Sequence, residues 1–252
     1  MLKLVKQSAR HILRRCGYDI IRLNEKQQLG FPLDFDEPTI KLCEYVEPYT
    51  MTSRERVFAL RRSVEYIVDQ DIPGDVVECG VWKGGSMMAV ARTLMERGAN
   101  ARKLYLFDTY EGMTEPTEAD VNYRGMAALS RWRVGEKWDY SPLDEVKSNM
   151  RDTGYDEEKV LFVKGKVEDT LPKNAPERIS LLRLDTDWYE STYHELVHLY
   201  PRLSVGGVLI IDDYGFWAGQ RKAVDRYIDE HDLALLLTRV DNTARVCVKL
   251  KV

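Results

Sequence analysis

The chain has 252 residues, of which 44% are hydrophobic and 31% charged, with a formal net charge of −4. That length suits one large α/β domain with a sizeable core, and the composition is ordinary for a soluble globular protein. A slightly acidic chain excludes bulk electrostatic binding to nucleic acid, and no apolar run is long enough for a membrane span.

At the N-terminus, Lys3, Lys6, Arg10, Arg14 and Arg15 interleave with Leu2, Val5, Ile12 and Leu13, with no acid before Asp19. This is the pattern of a basic amphipathic helix, which allows a membrane-surface contact or a transit peptide. The plainer alternative is a helix that packs on the body or on a partner subunit, and a homo-oligomer is expected. Residues 24–36 are polar, contain Gly30 and Pro32, and read as a linker. Residues 37–46 read as a short helix with Pro38 in its first turn. Thr52-Ser53-Arg54-Glu55 has the spacing of a capping box for a helix that runs to Gln70. Residues 1–70 thus form an N-terminal helical extension and cap, and residues 71–252 form the main domain.

The main domain begins with a turn at Ile72-Pro73-Gly74 and a strand over 76–79. The strand ends in Glu78 and Cys79 and opens into Gly80-Val81-Trp82-Lys83-Gly84-Gly85-Ser86, followed by a helix over 85–97. Glycines let backbone approach a ligand, and the helix start presents free N–H groups. A second strand over 103–107 is closed by Asp108, where a doubly wound sheet holds ribose hydroxyls. The glycine spacing is neither G-x-G-x-x-G nor a P-loop. A looser glycine turn beside strand-end acids suits S-adenosylmethionine, whose ammonium and ribose each want an anionic partner. The alternative is a glycine turn that binds nothing.

Residues 112–140 hold no core strand but carry Tyr123, Trp132, Trp138 and Tyr140 among many charges. Such an insertion reads as a lid, or as an excursion packed back onto the body. The alternation then resumes: helix 143–153, strand 159–163, helix 168–171, strand 180–184, helix 191–200, strand 208–211 and helix 218–230. Residues 233–240 and 245–251 read as a terminal antiparallel hairpin. Alternating βα units predict a doubly wound, Rossmann-like parallel sheet closed by that hairpin.

Two strands in this series end in paired acids: Asp185 and Asp187 after the first, Asp212 and Asp213 after the second. Strand C-termini share one edge of such a sheet, so the four aspartates should converge near Glu78. Arg183 can pair with Asp185 but cannot neutralise the group. Crowded carboxylates favour a cation between them, and oxygen-only ligands suit Mg²⁺. Helix capping by Asp187 or Asp213 accounts for one acid per strand end, not two. His194-Glu195-Leu196-Val197-His198 matches a zinc pattern, but it lies on a crossover helix between core strands. The four cysteines, Cys16, Cys43, Cys79 and Cys247, show no paired spacing, and a reducing cytoplasm fits.

The stretches Pro48-Tyr49-Thr50-Met51-Thr52-Ser53 through Glu55-Arg56, Pro73-Gly74-Asp75 through Ser86, Phe107-Asp108-Thr109-Tyr110-Glu111-Gly112-Met113, Leu184-Asp185 through Thr192, and Gly206-Gly207 through Tyr214 resemble the macrocin O-methyltransferase (TylF-type) family. The resemblance covers about residues 47–228. It implies a class I methyltransferase domain dependent on S-adenosylmethionine and Mg²⁺, acting on a hydroxyl of a sugar, glycan or glycosylated natural product. By that resemblance Asp187, Asp212 and Asp213 are metal ligands, and Asp187 is also the base. Tyr49, Thr50, Met51, Glu78, Gly80, Gly84, Gly85, Ser86 and Asp108 fall at cofactor positions. The lid and the basic N-terminal helix have no counterpart in these motifs. A metal-dependent methyltransferase of phenolic diols and a non-catalytic cofactor-binding protein stay open as alternatives.

Overall fold

The computed structural model describes residues 30–251. The expected basic N-terminal helix, and residues 24–29 of the expected linker, lie outside the described residues. Contacts divide the chain into two units at Ile40 and Lys41. In the first, Asp36 Oδ1 accepts the Thr39 N–H at 3.0 Å, inside the first turn of helix α1 (Glu37–Val46). The second unit, Lys41–Val252, carries the sheet and the site.

Helix α2 (Arg54–Asp69) is capped by Ser53, whose Oγ accepts the Arg56 N–H at 3.2 Å. The capping residue is therefore Ser53 and not Thr52, as the sequence pattern would have it. The Thr52 hydroxyl instead lies 3.0 Å from the Thr50 hydroxyl, and the Thr52 N–H donates to the same Thr50 oxygen. That local pairing shapes the segment ahead of the helix.

Five parallel strands follow: β1 (Asp75–Cys79), β2 (Leu104–Asp108), β3 (Val160–Lys164), β4 (Ile179–Leu184) and β5 (Leu203–Ile211). Strand β7 (Arg245–Val248) joins β5 antiparallel, and the short β6 (Thr238–Arg239) joins β7. The order is β3-β2-β1-β4-β5-β7-β6. The direction of winding reverses between β1 and β4, so a crevice opens beyond their C-terminal ends. All six residues of β4 are buried, which fits a central strand covered on both faces. The crossover helices are α3 (Gly85–Glu96), α4 (Leu143–Asp152), α5 (Val167–Thr170), α6 (Tyr189–Leu199) and α7 (Ala218–Glu230). Among the described residues, no helix is long and apolar enough to cross a membrane.

Two strand expectations differ from the structure. Strand β5 starts at Leu203 rather than 208, because Gly206 N–H and Gly207 O both pair with the backbone of Lys249. The terminal hairpin is shorter than 233–240 and 245–251. Leu233, Leu235 and Leu237 pack on the core as side chains without joining a ladder.

The segment 112–140 is only partly free. Asp120 is fully buried; its Oδ1 accepts the Tyr189 N–H at 2.9 Å, and its Oδ2 accepts the Thr117 N–H at 2.7 Å and hydroxyl at 2.9 Å. Tyr123 N–H donates to Phe216 O, and Ala218 N–H donates to Val121 O, both at 2.8 Å. The half around 117–128 is therefore fixed to the starts of α6 and α7. Exposed Leu129 and Val134 mark the stretch around 129–134 as the part able to move. Replacing Asp120 with Ala takes the acceptor from one donor on half-buried Tyr189 and two on exposed Thr117, so Asp120→Ala should cost about 1–3 kcal/mol and raise protease cleavage in 117–128. Urea unfolding and limited proteolysis read both; an unchanged midpoint and cleavage pattern would show that the anchor lies elsewhere.

Candidate active site

A cavity of about 380 Å³ opens at the C-terminal ends of β1, β2, β4 and β5. Its first wall is the segment Tyr49 to Thr52, which contributes Tyr49, Thr50 and Met51. This segment crosses directly over the start of α3. A Cβ on Gly85 would lie 2.4 Å from Tyr49 O, so only glycine allows the crossing. Gly80, Gly85 and Ser86 line the cavity beside it. Gly80 adopts φ +82°, and a Cβ there would lie 2.1 Å from Asp185 O, which brings the glycine turn against the end of β4. Gly84 is the N-cap of α3 but does not line the cavity.

Asp108 lines the cavity, yet its carboxylate is already engaged. Oδ2 accepts from the Val81 and Trp82 N–H groups at 2.7 and 3.1 Å, and Oδ1 accepts from the Tyr110 N–H at 2.7 Å. Trp82 holds φ 48° and Tyr110 φ 52°, so this one side chain fixes two left-handed turns. A ribose hydroxyl would share oxygens that already hold the glycine turn. Glu78 also differs from expectation. It is 1% exposed and absent from the cavity wall; its Oε1 accepts from Arg183 Nη1 at 2.6 Å, and its Oε2 has no hydrogen-bond partner. The register places Glu78 opposite Arg183, which stands between it and the cavity.

The four aspartates converge, but not equally. One oxygen each from Asp185, Asp187 and Asp213 lies within 4.8 Å of the others. Asp212 is 2% exposed and turns to two guanidinium groups: Arg56 Nη1 donates to its Oδ2, and Arg183 Nη2 lies 2.8 Å from its Oδ1. Arg183 Nη1 also reaches Asp185 Oδ2 at 2.8 Å, the pairing suggested by their spacing. Asp187 sits at φ 67°, a strained conformation for an aspartate, and its Oδ1 is buried without a partner. Burial pushes the Asp187 carboxyl well up, and Asp213 and Asp185 push it further. Asp185 and Asp213 are raised by burial too, Asp213 further by Asp212. Three half-buried carboxyls held together against their own repulsion, one with an unmatched buried oxygen, fit a hard divalent cation.

Arg56 and Asp139 also line this cavity and were not evident as site residues in the sequence. Asp139 comes from the lid at φ 48°, and its charge acts on Asp187. The His194–His198 pair does not belong to the acid group. Glu195 between them is fully buried and accepts from the Thr186 hydroxyl at 2.9 Å, so the helix turns that side inward.

A family model described as macrocin-O-methyltransferase (TylF) matches residues 41–249. A demethyldecarbamoylnovobiocin O-methyltransferase of Streptomyces niveus is 34% identical over 193 residues, covering 77% of this chain and 72% of that protein. The 8-demethyl-8-(2,3-dimethoxy-alpha-L-rhamnosyl)-tetracenomycin-C 4'-O-methyltransferase of Streptomyces olivaceus is 36% identical over 197 residues, covering 77% of this chain and 73% of its own. Among solved structures, the O-methyltransferase NovP is similar at a TM-score of 0.72 with 32% identity, covering 81% of this chain and 83% of NovP.

Burial pushes the Glu78 carboxyl up to about 7 from its ordinary 4.5, with Arg183 pulling it back. Between those two values the folded chain holds a proton that the unfolded chain has released. Stability from this group is therefore present at low pH and lost as pH rises through that window. The melting temperature should fall between about pH 4.5 and pH 7, and Glu78→Gln should flatten part of that slope. The remainder belongs to Asp185, Asp187 and Asp213, which shift in the same direction. An unaltered slope in Glu78→Gln would mean that Glu78 stays ionised beside Arg183.

Proposed function

The chain belongs to the macrocin-O-methyltransferase family of S-adenosylmethionine-dependent enzymes, and from that premise we propose that it methylates a sugar hydroxyl with the help of a divalent cation. The observation that carries the reading is the acid group of Asp185, Asp187 and Asp213 facing the same cavity as the glycine turn and the Tyr49 segment. The relative named for a rhamnosyl-tetracenomycin substrate supports a sugar-bearing acceptor. Burial of the free thiols Cys43, Cys79 and Cys247 supports a cytoplasmic setting.

S-adenosylmethionine, bound against Gly80, Gly85, Ser86 and the Tyr49 segment, would supply an electrophilic methyl group on sulfonium. A Mg²⁺ ion held by Asp187 and Asp213, with Asp185 beside them, would make an alcohol proton easier to lose. The protein's own residues do the rest. Asp187 would be the base: with a cation beside it its carboxylate stays ionised, and its unmatched Oδ1 is left to take the acceptor proton. Asp108 holds the Val81–Trp82 turn, so the donor pocket is formed before the donor arrives. Met113, Thr114 and Asp139 of the insertion line the cavity, where closure of that segment would limit water.

Chelation with EDTA should abolish methyl transfer to a sugar acceptor, and added Mg²⁺ should restore it. Calorimetric binding of S-adenosylhomocysteine should survive chelation, because no acid of the group is needed for the donor pocket. Asp187→Asn should lower turnover by at least about 100-fold, since the ligand and the base are lost together. Full activity of a verified metal-free enzyme would remove the cation from the reading and leave the acids as base and caps.

A further inference from the structure

We propose that Arg56 is a positioning residue that holds Asp212 and so aims its neighbour Asp213 at the divalent ion, by clasping together three separate segments of the chain. The inference rests on the divalent-ion reading of the site. Arg56 lies in the first turn of α2, directly after the segment that walls the cavity, and is itself part of the wall. Its side chain is 17% exposed. Its three nitrogens point three ways. Nε donates to Asp241 Oδ2 at 2.8 Å, Nη1 donates to Asp212 Oδ2, and Nη2 donates to Thr243 Oγ1. Nη2 also stands 3.9 Å from Asp213 Oδ1.

The far end of this clasp is firm. Asp241 accepts the N–H groups of Thr243 and Ala244 at 2.9 and 2.8 Å, which builds the turn into β7. Ser53 Oγ, the cap of α2, donates at 2.9 Å to Asp241 Oδ2, the oxygen that Arg56 Nε also reaches. One planar guanidinium therefore joins the start of α2, the end of β5 and the turn before β7. Between Arg56 and Arg183, both oxygens of Asp212 are held. Asp213 is the next residue, and its N–H is fixed by Gln220 Oε1 at 2.9 Å. With Asp212 locked and that N–H tied, the Asp213 carboxylate has little choice but to face Asp185 and Asp187. Lysine carries one point charge and cannot reproduce three directed contacts. Removing the guanidinium leaves Asp212 buried and under-compensated, so it must turn and take its neighbour with it.

The test titrates Mn²⁺ alone into the full chain and reads free Mn²⁺ by its paramagnetic resonance signal. Partners that orient metal ligands from outside are worth about 10- to 100-fold in affinity, and Arg56→Met should weaken Mn²⁺ binding within that range. Arg56→Lys should recover only part of the loss. Asp241→Asn keeps the Arg56 charge but loosens its aim, and should weaken Mn²⁺ several-fold. The double variant should bind no more weakly than Arg56→Met, because Asp241 acts through Arg56. If the unmodified chain binds no more Mn²⁺ than Asp187→Asn, the cation reading and this inference fall together. If it binds Mn²⁺ and a folded Arg56→Met binds equally well or better, the inference alone is overturned. Additive losses in the double variant overturn the clasp. Should Arg56→Met not fold, unchanged Mn²⁺ affinity in both Arg56→Lys and Asp241→Asn overturns it.

Discussion

The site depends on how buried charge is balanced at the ends of β1, β4 and β5. Glu78, Asp185, Asp187, Asp212 and Asp213 meet there, and Arg183 stands among them. Its Nη1 reaches Glu78 at 2.6 Å and Asp185 at 2.8 Å, and its Nη2 reaches Asp212 at 2.8 Å. Register makes this unavoidable: Glu78, Arg183 and Ile210 lie side by side in neighbouring strands. Buried charges are costly unless paired, and here Arg183 and Arg56 face more carboxylates than they can neutralise. The surplus falls on Asp187 and Asp213, which face the cavity. A divalent ion there would complete a balance that the sheet begins.

The remainder of the cavity follows from how its walls are fixed to that edge. Asp108 ties the glycine turn to the end of β2, and Gly80 lets that turn lie against Asp185. Gly85 lets the Tyr49 segment cross the start of α3. Asp120 fastens the inner half of the insertion to α6, and the Trp188 indole N–H donates to Thr114 O at 2.9 Å. Glycine turn, acid group and the inner part of the insertion are thus joined by short directed bonds.

Much of this was legible in the sequence because buried parallel strands read as unbroken apolar runs. The runs ending at Cys79, Phe107, Leu184 and Ile211 located β1, β2, β4 and β5 within a residue at those ends. Their order made the convergence of the aspartates foreseeable. The C-terminal strands were overdrawn because Leu233, Leu235 and Leu237 alternate like a strand while packing as coil. Position at a strand end did not reveal the partner. Asp108 spends its oxygens on backbone N–H groups, and Glu78 spends one on Arg183. Arg56 closes the first family-like stretch, but its place in the site stayed hidden because its partners lie 156 to 187 residues away. Asp139 escaped because the lid has no periodic pattern.

The central claim is that the charge balance around Arg183 leaves Asp187 and Asp213 to hold a divalent ion beside the donor pocket. The most direct measurement is anomalous diffraction from crystals grown with Mn²⁺ and S-adenosylhomocysteine. The account expects a manganese peak with carboxylate oxygens of Asp187 and Asp213 about 2.0–2.6 Å away, facing the donor pocket. Density for S-adenosylhomocysteine in the cavity with no manganese peak at these carboxylates would contradict it.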